Sequence, residues 1–248
     1  EKGHAKILTA TNVFAHVNNS DEFMRGVNIL LADDGIFIIE VPYLVDLINN
    51  TEFDTIYHEH LSYFSIKPLI ELFKKFNMQL FDITRVPVHG GSIRAYVSKY
   101  RRTVRNSIYE SLQLEKQMSL DSLDTYLDFA ARVAHIKLEL LDLLRKLKKT
   151  GKRIVGYGAS AKGNTLLNYC KIDTNILDYI VDNTPFKQGK FTPGMHIPIM
   201  APDILLKDVP DYALLLAWNW ADEIICKERR YRQLGGRFIL PIPQPKVI

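Results

Sequence analysis

Within the ten residues from Ile56 to Ser65, I-Y-H-E-H-L-S-Y-F-S, the chain places two imidazoles, a carboxylate and two phenols. Groups of these types exchange protons near neutral pH, and a histidine tuned by a neighbouring carboxylate is the usual acceptor there. In extended backbone His58 and His60 share one side, and Tyr57 and Glu59 share the other. A metal site is the rival reading. H-E-H lacks the i, i+4 spacing of helical zinc sites, however, and no further ligand cluster lies near it in sequence. The plainest account of any single histidine here is a hydrogen-bonded loop residue; the density of titratable groups favours acid–base work.

The run Gly156-Tyr157-Gly158-Ala159-Ser160-Ala161-Lys162-Gly163-Asn164-Thr165 is the second stretch with chemical meaning. It stands where a strand is expected to turn into a helix. Small residues there let backbone approach a ligand, and the helix N-terminus offers unpaired N–H groups to a phosphate. The spacing is neither the dinucleotide fingerprint nor a Walker loop, which needs Lys where Asn164 stands. Phosphate binding, with Lys162 as a cation at the mouth, is the favoured expectation; glycines needed only for strand-to-helix packing are the alternative. Asp182 is expected to end the next strand, as a ribose-binding acid or equally as the cap of the turn from Asn183 to Pro185. Asn183 and Lys187 follow it. His89-Gly90-Gly91-Ser92 with Arg94 sets a glycine turn beside a cation, suited to an anion or to a plain hairpin.

Positioning these groups requires a rigid scaffold, and the pattern predicts an α/β one. Lys6 to Val17 reads as a strand entering a loop at Asn12 to His16. Ser20 and Asp21 are N-cap candidates for a helix bearing Phe23, Met24, Val27, Leu30 and Leu31, with a stop at Asp33-Asp34-Gly35. Gly35 to Pro42 is a continuous apolar strand of the kind buried on both faces of a parallel sheet. A helix at Lys67 to Asn77 precedes strands Gln79 to Val86 and Ser92 to Lys99, paired antiparallel through the glycine turn. The first strand is left as an unprotected hydrophobic edge, which predicts further βα units upstream of Glu1, with a covering partner chain as the alternative.

From Ser107 to Lys149 the chain turns helical. Leu123, Tyr126, Leu127, Ala130, Val133, Ala134, Leu138, Leu141 and Leu144 form one predicted stripe, and Gly151 supplies the stop. The stretch reads as a connector, with a dimerising coiled coil as its rival. Beyond it, Arg153 to Tyr157, Ile176 to Val181, Tyr212 to Ala217 and Arg237 to Leu240 are predicted strands. Ala161 to Tyr169 and Trp220 to Leu234 are predicted helices, a Rossmann-like alternation. The expected domains are therefore residues 1–105, a helical connector 106–150, and a second α/β domain 151–248.

Composition narrows the partners. The 248 residues are 47% hydrophobic and 24% charged with net charge +4, ordinary for a globular protein and without the concentrated basic face of a nucleic-acid binder. Two distant cysteines exclude a disulfide framework or a cysteine zinc site and fit a reducing cytoplasm. No apolar run reaches membrane-spanning length. A monomer is expected, with a dimer as the alternative.

Taken together, Y-H-E-H-L-S-Y-F-S, V-H-G-G-S-I-R, G-Y-G-A-S-A-K-G-N-T-L-L-N-Y-C, V-D-N-T-P-F-K-Q-G-K and L-A-W-N-W-A-D-E-I resemble, in that order, the S-adenosylmethionine-dependent C-methyltransferases of nucleotide-linked keto-deoxysugars. The resemblance implies the latter part of a class I methyltransferase sheet followed by a Rossmann-like domain that helps hold a nucleotide-diphosphate sugar. The family's N-terminal zinc module and glycine-rich cofactor loop have no counterpart in this sequence. His60 matches the family's proposed general base at carbon 3 beside a 4-keto group, and Glu59 and Tyr57 match residues that orient the sugar and support the enolate. Asn12, Val13 and Phe14 correspond to a loop near S-adenosylmethionine. Lys162, Gly163 and Asn164 are implied to face the diphosphate, with Asn183, Lys187, His89 and Arg94 as further substrate contacts. A nucleotide-sugar binding module without methyl transfer, and an NAD-dependent oxidoreductase, are the competing classes.

Overall fold

β-Branched runs separated by amphipathic helices generate two open sheets in the computed structural model, which describes residues 3–248. The chain divides into two compact units, Glu1–Asn50 with His58–Asp128, and Thr51–Tyr57 with Phe129–Ile248. Residues 106–150, expected as one connector, contribute to both.

In the first unit, β1 (Ala5–Thr11) runs parallel to β2 (Leu31–Pro42) through the crossover helix α1 (Ser20–Leu30). The cap of α1 is Asn19, whose side chain accepts from Glu22 N–H at 3.1 Å, one residue ahead of the predicted candidates. The helix also ends earlier than the Asp-Asp-Gly run, because Leu31 is already extended and Asp33 to Gly35 belong to β2. β2 buries Phe37, Ile39 and Val41 on one face and leaves Ile36 and Ile38 half-buried, so only one of its faces is fully covered. Each such burial contributes roughly 1.5–3 kcal/mol.

After β2 come α2 (Leu44–Asn49), then α3 (Ile66–Lys75), β3 (Gln79–Val86) and β4 (Ser92–Ser98). β4 pairs antiparallel with both β2 and β3, giving the order β1-β2-β4-β3. The exposed edge predicted for β1 is present among the described residues: Ile7 is 63% exposed, and Ile29 of α1 is 69% exposed. Helix α4 (Asn106–Gln117) closes this unit by packing Ile108 and Leu112 into its core.

Helix α5 (Leu123–Lys149) is continuous, and three lysines in its last turn complement the helix dipole. Gly151, at φ +75°, ends it, and Lys152 N–H reaches back to Leu147 C=O. Only the later part of the predicted stripe is buried. Val133, Leu141 and Leu144 are joined by Ile136 and Leu140, while Leu123, Leu127 and Leu138 are exposed. Leu138 lies between buried positions and is itself exposed, so the covered face sits to one side of the predicted stripe rather than along it.

The second unit holds β5 (Ile154–Tyr157), α6 (Ala161–Cys170), β6 (Ile180–Val181), β7 (Ile199–Met200), α7 (Ile204–Asp208) and β8 (Tyr212–Leu215). It ends with α8 (Ala221–Lys227), α9 (Arg229–Gln233), β9 (Arg237–Leu240) and β10 (Lys246–Val247). The sheet order is β10-β9-β8-β5-β6-β7, parallel except for β10. The strand predicted over Ile176 to Val181 shrinks to two residues, because Leu177 N–H bonds Asp173 C=O in a turn. The single helix predicted from Trp220 to Leu234 is broken at Glu228. This residue leaves helical geometry and accepts the Tyr157 hydroxyl at 2.7 Å. Among the described residues no helix is long and apolar enough to cross a membrane.

Candidate functional sites

In the first unit, the parallel strands β1 and β2 deliver their C-terminal ends to one edge. Asn12 follows β1 at φ +54°, with its N–H bonded to Glu40 C=O at 2.9 Å, and its Oδ1 is buried without a hydrogen-bond partner among the described residues. A 3₁₀ turn, Phe14–His16, then leads to α1. The segment from His58 returns over this turn: Leu61 N–H bonds Ala15 C=O at 2.9 Å, Phe64 stacks on Phe14 with centroids 5.2 Å apart, and Leu44 N–H bonds Phe64 C=O. This lacing brings His60 edge-on to His16, with ring centroids 4.9 Å apart, while Tyr63 lies 6.3 Å from His60. Glu59 and His58 are exposed, and His60 is half-buried.

His16 is the residue that sequence reasoning missed. The strand–loop pattern N-V-F-A-H marked its loop, but only the pairing of β1 with β2 brings that loop beneath His60. Phe14, expected beside a cofactor, is corrected: its ring is 1% exposed and packs between Phe23 and Phe64. Val13 is 47% exposed.

The far end of the histidine segment is held by a buried carboxylate. Glu115 of α4 accepts from Tyr43 Oη at 2.9 Å and from Ile66 N–H at 2.5 Å through the same oxygen, and from Lys67 N–H at 3.3 Å through the other. It thereby caps α3, whose own N-cap residue, Ser65, makes no side-chain cap bond. Burial and the neighbouring Glu115 push the Tyr43 phenol far up, so it remains a hydrogen donor.

Arg94 lies opposite Glu40 in the β2/β4 register and donates Nε to its buried carboxylate at 2.5 Å. That contact uses Nε alone, and the Arg94 side chain is 48% exposed. Gly91 sits at φ +142°, and a Cβ there would strike Asp46, so close packing accounts for the glycine turn. The side chain of His89 lies outside the described residues.

In the second unit, the residues Thr51–Tyr57 form a tight 3₁₀ turn, Phe53–Thr55, and Tyr57 follows half-buried. The glycines of the predicted phosphate loop serve packing. A Cβ on Gly156 would meet Ile180, and one on Gly163 would meet Leu216 Cβ at 2.6 Å. Ser160 caps α6 by accepting Gly163 N–H at 3.0 Å. Lys162 is corrected in position: its Nζ is buried and lies 5.0 Å from the centroid of the Trp218 ring rather than at the loop mouth. Asp182 accepts from Ala159 N–H and Thr184 N–H at 2.7 and 2.8 Å, the turn-capping role.

Two cavities flank Ser160. One of about 200 Å³ gathers Asn164, Lys187, Lys190, Phe191 and Thr192. The other, about 390 Å³, is lined by Gly158, Asp182, Asn183, Trp220, Glu223 and Lys227. It lies beyond the carboxyl ends of β5 and β8, where the strand order reverses, the usual ligand crevice of such sheets. Lys187 Nζ donates to Ala159 C=O at 2.8 Å, and Asn183 Oδ1 accepts from Lys227 at 3.0 Å. Lys162 and Gly163 line neither cavity. Among the described residues no three His, Cys, Asp or Glu side chains gather as a metal-ligand set.

Comparison with known proteins divides the chain elsewhere, between residues 82 and 87. Residues 1–82 match a methyltransferase domain, and residues 87–243 match the C-methyltransferase C-terminal domain. The chain is 42% identical over 248 residues to the C-methyltransferase NovU of Streptomyces niveus, an alignment that covers 99% of this chain and 59% of that protein. It therefore spans well under two thirds of that relative's length.

Proposed function

The chain belongs to the C-methyltransferase family, and from that premise we propose that the protein containing it methylates a carbon of a nucleotide-linked 4-keto-deoxysugar in the cytoplasm. The observation that carries this reading is found in the loop after β1: His16 there braces His60, and Asn12, which opens the loop, keeps a buried, unpartnered Oδ1. An acceptor left without a donor at a parallel-sheet edge fits a bound polar ligand.

Asn12 and Val13 would hold S-adenosylmethionine, which supplies an electrophilic methyl carbon when bound. His60 takes the proton from carbon 3; the C–H electron pair moves into the adjacent carbonyl, giving an enolate whose carbon is the nucleophile. The neighbouring ketone makes that proton acidic enough for an imidazole to remove. Tyr57 and Glu59 orient the sugar, and the Tyr57 hydroxyl donates to the enolate oxygen. Asn164 and Lys187, with Lys190 as an added cation, receive the diphosphate at the N-terminus of α6, and Asn183 lies in the neighbouring crevice.

The two cavities of the second unit also favour a simpler reading, a nucleotide-sugar binding module without methyl transfer. The deciding experiment uses the full-length protein with isotopically labelled S-adenosylmethionine and a thymidine-diphosphate 4-keto sugar. His60→Asn is expected to lower methyl transfer at least ~100-fold while sugar-nucleotide binding survives. Near wild-type turnover by that variant would remove His60 from the role of base. Sugar-nucleotide binding by the unsubstituted protein with no methyl transfer would establish the binding module instead.

A further inference from the structure

Asp54 is fully buried, and its two oxygens have different surroundings. Oδ2 accepts the Trp218 indole N–H at 2.7 Å, whereas Oδ1 has no hydrogen-bond partner among the described residues. The Lys162 ammonium lies over the same indole, also buried and also without a hydrogen-bond partner. An anion accepting the indole N–H enriches the ring in electron density, and a cation is held by the ring face, so the two charges compensate through Trp218 without touching. Two desolvated charges at this spot are costly unless they serve position, because an apolar set of equal volume is usually as stable.

Their place in the chain indicates what is positioned. Asp54 lies in the turn Phe53–Thr55, which is locked by Thr55 N–H and Oγ1 both bonding Glu52 C=O, and by Phe53 packing on Tyr169 at 5.1 Å. Tyr57 comes three residues later, and the next residue, His58, already belongs to the first unit. We infer that Asp54, held by Trp218 and faced by Lys162, is a positioning residue that fixes the turn leading to Tyr57 and so sets that side chain. Burial holds the Asp54 carboxyl above its usual range, with Lys162 and the Trp218 N–H opposing that shift. The inference rests on the methyl-transfer reading for its catalytic consequence but not for its structural one.

The test therefore has two readouts on the full-length protein. Backbone hydrogen exchange at Thr55, Ile56 and Tyr57, whose amides are bonded within the turn, is followed in Asp54→Asn, which removes the charge, and in Trp218→Phe, which removes the indole N–H donor and some volume. Both variants are expected to speed exchange in that segment roughly ten-fold while the strands of both sheets keep wild-type protection. Steady-state kinetics should show kcat lowered about 10- to 100-fold with KM for S-adenosylmethionine unchanged, as expected for a misplaced reacting group. If Asp54→Asn does not fold, Trp218→Phe carries the measurement. Wild-type exchange at Thr55, Ile56 and Tyr57 in the folded variants overturns the inference, whatever the activity. Faster exchange in a protein whose unsubstituted form transfers no methyl group leaves the positioning role standing and refutes the functional reading instead.

Discussion

A histidine that takes a proton from carbon must present one ring nitrogen in one direction, so what fixes its ring matters as much as what shifts its basicity. His60 obtains that support from the edge of the His16 ring and from the segment laced onto Ala15 and Phe14. An edge-on ring pair is worth about 0.5–1.5 kcal/mol beyond its buried area. His16→Ala should therefore lower kcat by up to about ten-fold with little change in KM, and His16→Phe, which keeps a ring edge there, should stay within about three-fold of wild type. Equal losses in the two variants would show that a ring nitrogen of His16, not its packing, serves the reaction. His60 is legible from sequence because its neighbours in the chain are themselves titratable. His16 is not, because its proximity is created by strand pairing, and a lone histidine after a strand carries no mark of what will cover it.

At the scale of elements, sequence reads the long, strongly patterned pieces well and the short ones poorly. The strand Gln79–Val86 and its antiparallel partner follow from β-branched residues on either side of a glycine turn. By contrast, β6, β7 and β10 are two residues each, too short to show any period, and exist because neighbouring strands already offer N–H and C=O groups, parallel for β6 and β7 and antiparallel for β10. The cap of α3 was hidden for another reason. Its carboxylate comes from Glu115, far along the chain, where the local pattern shows only Ser65 in front of the helix. Glu115→Ala leaves the Tyr43 hydroxyl and the Ile66 N–H buried without an acceptor, a loss of about 2–4 kcal/mol. Glu115→Gln retains one acceptor oxygen for Tyr43 and Ile66 and loses the charge at the helix N-terminus and the long bond from the N–H of the exposed Lys67, together about 1 kcal/mol. Urea unfolding followed by circular dichroism should rank wild type, Gln and Ala in that order; a stability loss in Gln equal to that in Ala would refute the capping account.

Across the whole molecule, the two units carry separate cores and different optical labels. Both tryptophans of the chain, Trp218 and Trp220, belong to the second unit, so tryptophan fluorescence reports on that unit. Beneath its sheet, Arg153 donates to both oxygens of Asp208 at 2.7 and 2.6 Å and to Asp178 at 3.1 Å, and Tyr179 adds its hydroxyl to Asp208. The Arg153 hydrogen bonds hold the Asp208 carboxyl below its ordinary value against the opposing cost of burial, with the Tyr179 hydroxyl and the guanidinium charge adding to the lowering. A carboxylate depressed in the folded state contributes stability that is present above its unfolded pKa, near 3.9, and is lost as pH falls through the lower folded value. Arg153 is 45% exposed, so solvent screening limits the network to about 1 kcal/mol. Arg153→Met should accordingly lower the fluorescence-detected urea midpoint at pH 7, and the gap to wild type should close as pH drops below the folded pKa of Asp208. A gap that stays constant into strong acid would mean that Arg153 contributes through the packing of its stem rather than through Asp208.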